Sequence, residues 1–194
     1  MKRTEKAEKI ASILEKLYPE TPIPLEHYSA YTLLVAVMLS AQTTDKKVNQ
    51  VTPTLFQHAD TPDKMVLLEV EKIQSIIQEI GLAPTKARNL RKMAEQILES
   101  GGIRGEWEYL ENLAGVGHKT ASVVMSQWYG FPAFPVDTHI HRLAKRWGLS
   151  KSKNVEMTER DLKKIWPPCP PRITLVWPRF NSQTIGSSTN FDSL

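Results

Sequence analysis

The segment LAGVGHKTASVVM, residues 113–125, combines residue types that can hold an anion and attack an electrophile. Two glycines lie directly before a helical pattern, and glycine lets backbone N–H groups approach a phosphate without interference from a Cβ. Lys119 falls in the first turn of that helix, where the helix dipole disfavours a cation and favours the neutral amine. A neutral amine is the form that attacks carbon and forms a Schiff base. Two ordinary explanations stay open from this pattern alone: a glycine turn that only packs two helices, and a solvated lysine.

Asp137, in the segment FPVDTHIHRL, is the second candidate for chemistry. It follows a loop bounded by Pro132 and Pro135, so its carboxylate would be held rigidly at the start of a helix. A carboxylate fixed there can stabilise a cationic sugar in a transition state. Aspartate is also a favoured N-cap, and the two roles are compatible.

The elements that must position these residues are predicted to be helices. Apolar residues recur at helical spacing through residues 1–166, without convincing two-residue alternation, so the fold class is predicted as all-α. Helices are predicted over 3–17, from an N-cap at Ser29 through YTLLVAVMLSA, from Thr44 or Asp45 onward, over 70–80 with Gly81 as the C′ residue, from Pro84 to Gly101, over 107–113, after the glycine turn, over 138–148, and over about 154–165.

Composition narrows the class of protein. No run of 18 apolar residues occurs and the N-terminal MKRTEKAEKI lacks an apolar core, so we expect a cytoplasmic protein without a membrane span. The net charge of +4 weakly favours an anionic partner. A single cysteine, Cys169, cannot form an internal disulfide or, alone, hold a metal, and His139 and His141 face different ways on a helix. No metal site is therefore predicted.

Three separated motifs resemble one family. LAGVGHKTASVV, followed 18 residues after Lys119 by the aspartate of VDTHIHRL, resembles the helix-hairpin-helix, Gly/Pro-rich loop and aspartate signature of the DNA glycosylase superfamily, and in particular the endonuclease III family. LSAQTTDKKVN at 39–49 and IGLAPTKARNL at 80–90 support the same resemblance, which covers about residues 1–166.

The resemblance implies a bifunctional glycosylase and abasic-site lyase that removes oxidised pyrimidines in base excision repair. The target nucleotide would be flipped out of the duplex. Lys119 would attack the sugar C1′, expel the base and form a Schiff base that undergoes β-elimination, while Asp137 would support that step. Gln42 would fill the gap left by the nucleotide and Leu82 would wedge into the stack. Without the resemblance, Gln42 is an ordinary surface residue and Leu82 a hydrophobic contact after a C′ glycine.

The resemblance also implies an architecture and a partner. It predicts two helical lobes, a six-helix domain over 24–132 that contains the helix-hairpin-helix and a second lobe from 1–23 plus 133–166, with a DNA groove between them. The partner would be double-stranded DNA with damaged pyrimidines or abasic sites, bound by a monomer at the nucleoid and not at a membrane. Further DNA contacts are expected from the hairpin residues Gly115, Val116, Gly117, His118 and Thr120.

The sequence also departs from the family pattern. Ala114 replaces the usual proline and His118 a common arginine, and the four C-terminal cysteines of a [4Fe-4S] cluster are missing, so this polypeptide is predicted to hold no cluster. Residues 167–194 contain five of the 13 prolines and three charged side chains, which predicts an irregular, aberrant tail and suggests a frameshift. The alternatives are a non-catalytic helix-hairpin-helix DNA-binding protein, an inactive frameshifted fragment, or a glycosylase of other specificity.

Overall fold

The structure, a computed structural model, describes residues 2–17, 24–131, 133, 136 and 138–166, so Asp137 and the predicted tail lie outside the described residues. The described residues form helices and no strand, which confirms the all-α prediction. The helices are α1 (Arg3–Leu17), α2 (Ala30–Ser40), α3 (Asp45–Ala59), α4 (Pro62–Val66), α5 (Val70–Ile76), α6 (Ala83–Glu99), α7 (Trp107–Glu111), α8 (His118–Gln127), α9 (Thr138–Arg146) and α10 (Val155–Ile165).

The chain divides into two compact units, Ile23–Tyr129 and Met1–Pro22 with Gly130–Leu194. Helix α2 lies at the centre of the first unit, and every residue of Ala30–Leu39 is buried. A helix that is apolar all round is stable only when other helices cover all its sides, and α2 contacts α3, α6 and α8. No helix in the described part of the chain is long and apolar enough to cross a membrane.

The second unit has its own hydrophobic core, to which α1, α9 and α10 each contribute. Ile10, Ile140 and Leu162 are almost fully buried in it. A polar contact fixes the turn before α10, because the hydroxyls of Ser150 and Ser152 donate to one Asp161 carboxylate oxygen at 2.6 and 2.7 Å. These two hydrogen bonds lower the pKa of Asp161.

Two elements differ from the sequence-based expectation. The segment 24–132 was expected to hold six helices, but its described residues also form the short α4, where Pro62 occupies the first turn and the Thr61 hydroxyl accepts from Lys64 N–H. Helix α5 ends at Ile76 and not near residue 80, because turns bury the remaining apolar residues, Ile77 and Ile80. Gly81 is therefore not the C′ residue of α5, and its φ is not positive.

Candidate DNA interface and active site

The glycine turn between α7 and α8 is built around Gly115. Gly115 has φ +78°, a conformation that side chains other than glycine rarely adopt. A Cβ at this position would lie 2.9 Å from Asn89 Nδ2 and 3.0 Å from Met38 Sδ. Val116 is buried, and its N–H donates to the Leu113 carbonyl at 3.0 Å. The positive φ therefore requires glycine at position 115, the Asn89 and Met38 side chains leave little room for a Cβ, and Val116 anchors the turn from inside.

Gly117, two residues later, has a different environment. It is the N-cap of α8 with φ −97°, and a Cβ built on it would meet nothing within 4 Å. Neither strain nor packing therefore requires glycine here. Gly117 has no side chain, so the start of α8 has no side-chain cap, and its positive dipole end faces a space that an anion can enter.

The reactive candidate and its neighbours occupy the first turn of α8. Lys119 is the second residue of the helix and is exposed, and Thr120 after it is half-buried. His118 is exposed but oriented by α7. Its ring stacks on Trp107 with centroids 5.9 Å apart, and the Glu111 carboxylate accepts from its Nδ1 at 2.6 Å. The structure therefore places His118, Lys119 and Thr120 together beside the open glycine, whereas Asp137 lies outside the described residues.

Gln96 on α6 holds the hairpin turn, a role that no sequence pattern indicates. Its side-chain oxygen accepts from Ala114 N–H at 2.7 Å, and its side-chain nitrogen donates to the Asn112 carbonyl at 3.2 Å. The first bond depends on alanine at position 114, since proline has no N–H to donate. A polar residue on a helix surface has no distinguishing sequence pattern, so only the three-dimensional arrangement identifies Gln96.

Gln42 and Leu82 share a rare backbone conformation. They have φ 57° and 63°, and no other non-glycine residue in the described part of the chain has a positive φ. Leu82 is also 58% exposed, so it is not the buried contact that would follow a C′ glycine. Strained residues of this kind persist where the surrounding structure fixes them, and they concentrate at functional sites.

The loops that carry Gln42 and Leu82 touch each other. A Cβ on Gly81 would lie 3.3 Å from the Gln42 carbonyl oxygen, so the missing side chain allows the two backbones to approach closely. Gln42 is exposed, as is Leu82. The structure therefore brings these two sequence-predicted DNA contacts together on one surface, and α2, which leads into the Gln42 loop, packs on α8.

Comparisons with known proteins agree with this geometry. Residues 35–168 match the family described as HhH-GPD superfamily base excision DNA repair protein. Endonuclease III of Treponema pallidum is 43% identical over 163 residues, which cover 81% of this chain and 77% of that protein. Two solved structures, a non-covalent endonuclease III–DNA complex and a trapped endonuclease III–DNA covalent intermediate, each match with TM-score 0.86 and 36% identity, over 93% of this chain and 86% of theirs.

Proposed function

Because the chain belongs to the HhH-GPD superfamily of base excision DNA repair proteins, we propose that Lys119 forms a Schiff base with the sugar of a damaged nucleotide. The protein is a DNA glycosylase and abasic-site lyase related to endonuclease III, and it acts on DNA. Oxidised pyrimidines in duplex DNA are the proposed lesions, as the resemblance of the three sequence motifs implies.

The proposed reaction begins with a nucleotide flipped out of the duplex, because its C1′ cannot be reached inside the stack. The neutral Lys119 amine attacks C1′ and the bond from C1′ to the base breaks, so the base leaves with the bonding electrons and gains a proton. Opening of the sugar ring gives the Schiff base. Loss of a C2′ proton then breaks the C3′–O bond and nicks the strand, and water hydrolyses the Schiff base to restore the amine.

The other site residues have separate proposed roles. The Asp137 carboxylate stabilises the positive charge that develops on the sugar. Gln42 fills the space left by the flipped nucleotide, and Leu82 separates the neighbouring bases. The open start of α8 at Gly117 holds a backbone phosphate, which positions the protein without reading base sequence.

One observation carries this proposal. Gln42 and Leu82, chosen from sequence as the residues that enter the duplex, are the two exposed non-glycine residues with left-handed backbone in the described chain, and their loops touch. A left-handed backbone is uncommon for residues other than glycine, and such residues concentrate at functional sites. Both residues are therefore presented outward by a rigid backbone, as insertion into a base stack requires.

We propose further that these 194 residues hold no [4Fe-4S] cluster. Such a cluster needs four thiolate ligands in general, and the sequence contains one cysteine, so the donor set does not fit. No step of the proposed reaction uses a metal, and every group that acts on the sugar belongs to Lys119 or Asp137.

The test is covalent trapping. The purified chain is mixed with a duplex that contains one thymine glycol, and borohydride is added to reduce any Schiff base to a stable amine. We expect a protein–DNA adduct that Lys119→Ala abolishes, whereas Lys92→Ala, which removes an exposed lysine on α6, keeps it. A second duplex with 8-oxoguanine tests the alternative of another specificity.

The failure of trapping has two distinguishable meanings. Protein that unfolds cooperatively and binds duplex, but gives no adduct on thymine glycol, 8-oxoguanine or an abasic site, would be a non-catalytic DNA-binding protein. Protein without a cooperative transition would support the inactive fragment. Either result would contradict the proposed reaction.

A further inference from the structure

We propose that Lys86 is a positioning residue that holds the Gln42 loop and the Leu82 loop in one fixed arrangement. This inference rests on the proposed function, in which both residues enter the duplex. Lys86 does not touch DNA in this arrangement, since it is only 6% exposed. It acts through the backbone of the two loops that present Gln42 and Leu82.

Lys86 reaches both loops at once. Its ammonium donates to the carbonyl of Leu39 at 2.9 Å and to the carbonyl of Ala41 at 2.6 Å. Its backbone N–H donates to the Leu82 carbonyl at 3.0 Å, which is the first hydrogen bond of α6. The Ala41 carbonyl belongs to the peptide group that leads into Gln42. One residue therefore fixes the peptide plane before Gln42 and the backbone of Leu82.

The burial of this lysine shows that the arrangement has a cost. A buried ammonium loses its hydration, and burial lowers the pKa of Lys86 accordingly. No carboxylate is among its hydrogen-bond partners in the described chain, only backbone carbonyls. A C-cap of α2 alone does not need a buried cation, because exposed helix ends bond to water. What the buried lysine adds is a hydrogen bond between the start of α6 and a carbonyl at the end of α2.

Two further contacts connect the same loops, but one is an ion pair exposed to solvent and the other is a packing contact only. Lys47, early in α3, forms an ion pair with Glu79 at 2.5 Å, and both side chains are substantially exposed, so the pair contributes little. Gly81 approaches the Gln42 carbonyl without a hydrogen bond. Lys86 therefore provides the strongest directional link between the two loops.

The link explains how two strained residues persist side by side. A non-glycine residue with positive φ relaxes unless its neighbours over-determine its conformation. Without the Lys86 ammonium, the Ala41–Gln42 peptide group is free to rotate, and Gln42 can leave the left-handed region. The protein would still bind the DNA backbone through α8, but it would keep a nucleotide flipped out of its base pair less well.

The experiment compares Lys86→Met with Lys92→Met, a matched control that removes one exposed lysine from the same helix. Two ratios are measured: affinity for a duplex with a tetrahydrofuran abasic analogue against undamaged duplex, and lyase rate on an abasic site in duplex against single-stranded DNA. Single strands need no wedge, so their cleavage is insensitive to the two loops. We expect both ratios to fall about tenfold in Lys86→Met, because a shift of about 1 Å can cost about a hundredfold, and to stay constant in Lys92→Met.

A double-variant cycle separates positioning from a general loss of stability. If Lys86 acts through the Gln42 loop, Lys86→Met changes both ratios by less than about twofold once Gln42→Ala is present. If the losses caused by Lys86→Met and Gln42→Ala multiply independently in the double variant, the inference is wrong. It is also wrong if both ratios are unchanged in folded Lys86→Met. If Lys86→Met does not unfold cooperatively, Lys86→Gln, which keeps a neutral amide donor, is measured in the same cycle with the same criteria. A missing Lys119 adduct would instead refute the proposed function, and the binding ratio tests Lys86 without any catalysis.

Discussion

Gly115 and Gly117 lie two residues apart in the same turn, yet alanine should affect a different property at each position. Gly115→Ala places a Cβ against Asn89 and Met38 at about 3 Å in a backbone with φ +78°. Gly117→Ala places a Cβ in open space in a backbone with φ −97°. The first change should damage the fold, and the second should damage the interaction with DNA.

The expected magnitudes follow from these environments. Left-handed backbone costs alanine about 1–2 kcal/mol, and overpacking costs about 1–3 kcal/mol more, so Gly115→Ala should lose about 2–5 kcal/mol of unfolding free energy. At Gly117 the backbone is already allowed, and a poorer N-cap costs about 1 kcal/mol at most. A phosphate at the start of α8 would collide with the new Cβ, so we expect duplex affinity to fall about tenfold, which is about 1.4 kcal/mol.

Urea unfolding and fluorescence anisotropy with a labelled abasic-analogue duplex measure the two effects separately. The variants serve as controls for each other because both add one methyl group to the same turn. Gly117→Ala with unchanged DNA affinity would refute the phosphate site at the start of α8. Gly115→Ala with the stability of the unmodified chain would refute the packing argument for the turn.

Two further variants test the supports of the two units. Gln96→Ala removes both hydrogen bonds to the hairpin backbone, so it should cost about 1–2 kcal/mol in urea unfolding and weaken duplex binding. Glu99→Ala, an exposed position on the same helix, should change neither property. If the two variants have the same stability and the same duplex affinity, the role of Gln96 is contradicted. Ser152→Ala removes one cause of the lowered pKa of Asp161. A depressed pKa stabilises the folded state above the unfolded value, about 3.9, and the effect disappears as pH falls through the folded value. The variant should therefore lower the Tm at pH 7, and this loss should shrink as the pH falls below the ordinary aspartate range; a loss that does not change with pH would count against this account.

The helix starts were the most predictable part of the fold. Ser29 and Thr44 begin α2 and α3 as predicted, because a side-chain oxygen three residues before a backbone N–H is a local signal. The end of α5 was less predictable. Its apolar spacing continues through Ile80, but burial of Ile77 and Ile80 by turns is a tertiary effect that periodicity cannot reveal.

The site shows the same division. The motifs predicted Lys119, Gln42 and Leu82 as site residues, but no local rule assigns a left-handed backbone to Gln42, or to Leu82 rather than the glycine before it. Gly81 was the expected left-handed residue, yet it serves the close approach to the Gln42 carbonyl and Leu82 adopts the positive φ. Which of two neighbours is strained depends on contacts between distant segments, which a single sequence does not encode locally.

Both supporting side chains that the sequence left unidentified lie on α6. The Lys86 ammonium, near the start of α6, bonds to the carbonyls of Leu39 and Ala41 just before Gln42, and the Gln96 amide bonds to the backbone of the hairpin turn. At 1.5 Å per residue, their separation of ten positions spans about 15 Å of continuous helix. The distance from the loops that carry Gln42 and Leu82 to the hairpin turn is therefore set by one helix, and two of its side chains bond to the backbone at either end. A helix that sets such a distance can vary its surface residues freely but not its length, since one added residue would also rotate Gln96 by about 100° away from the hairpin.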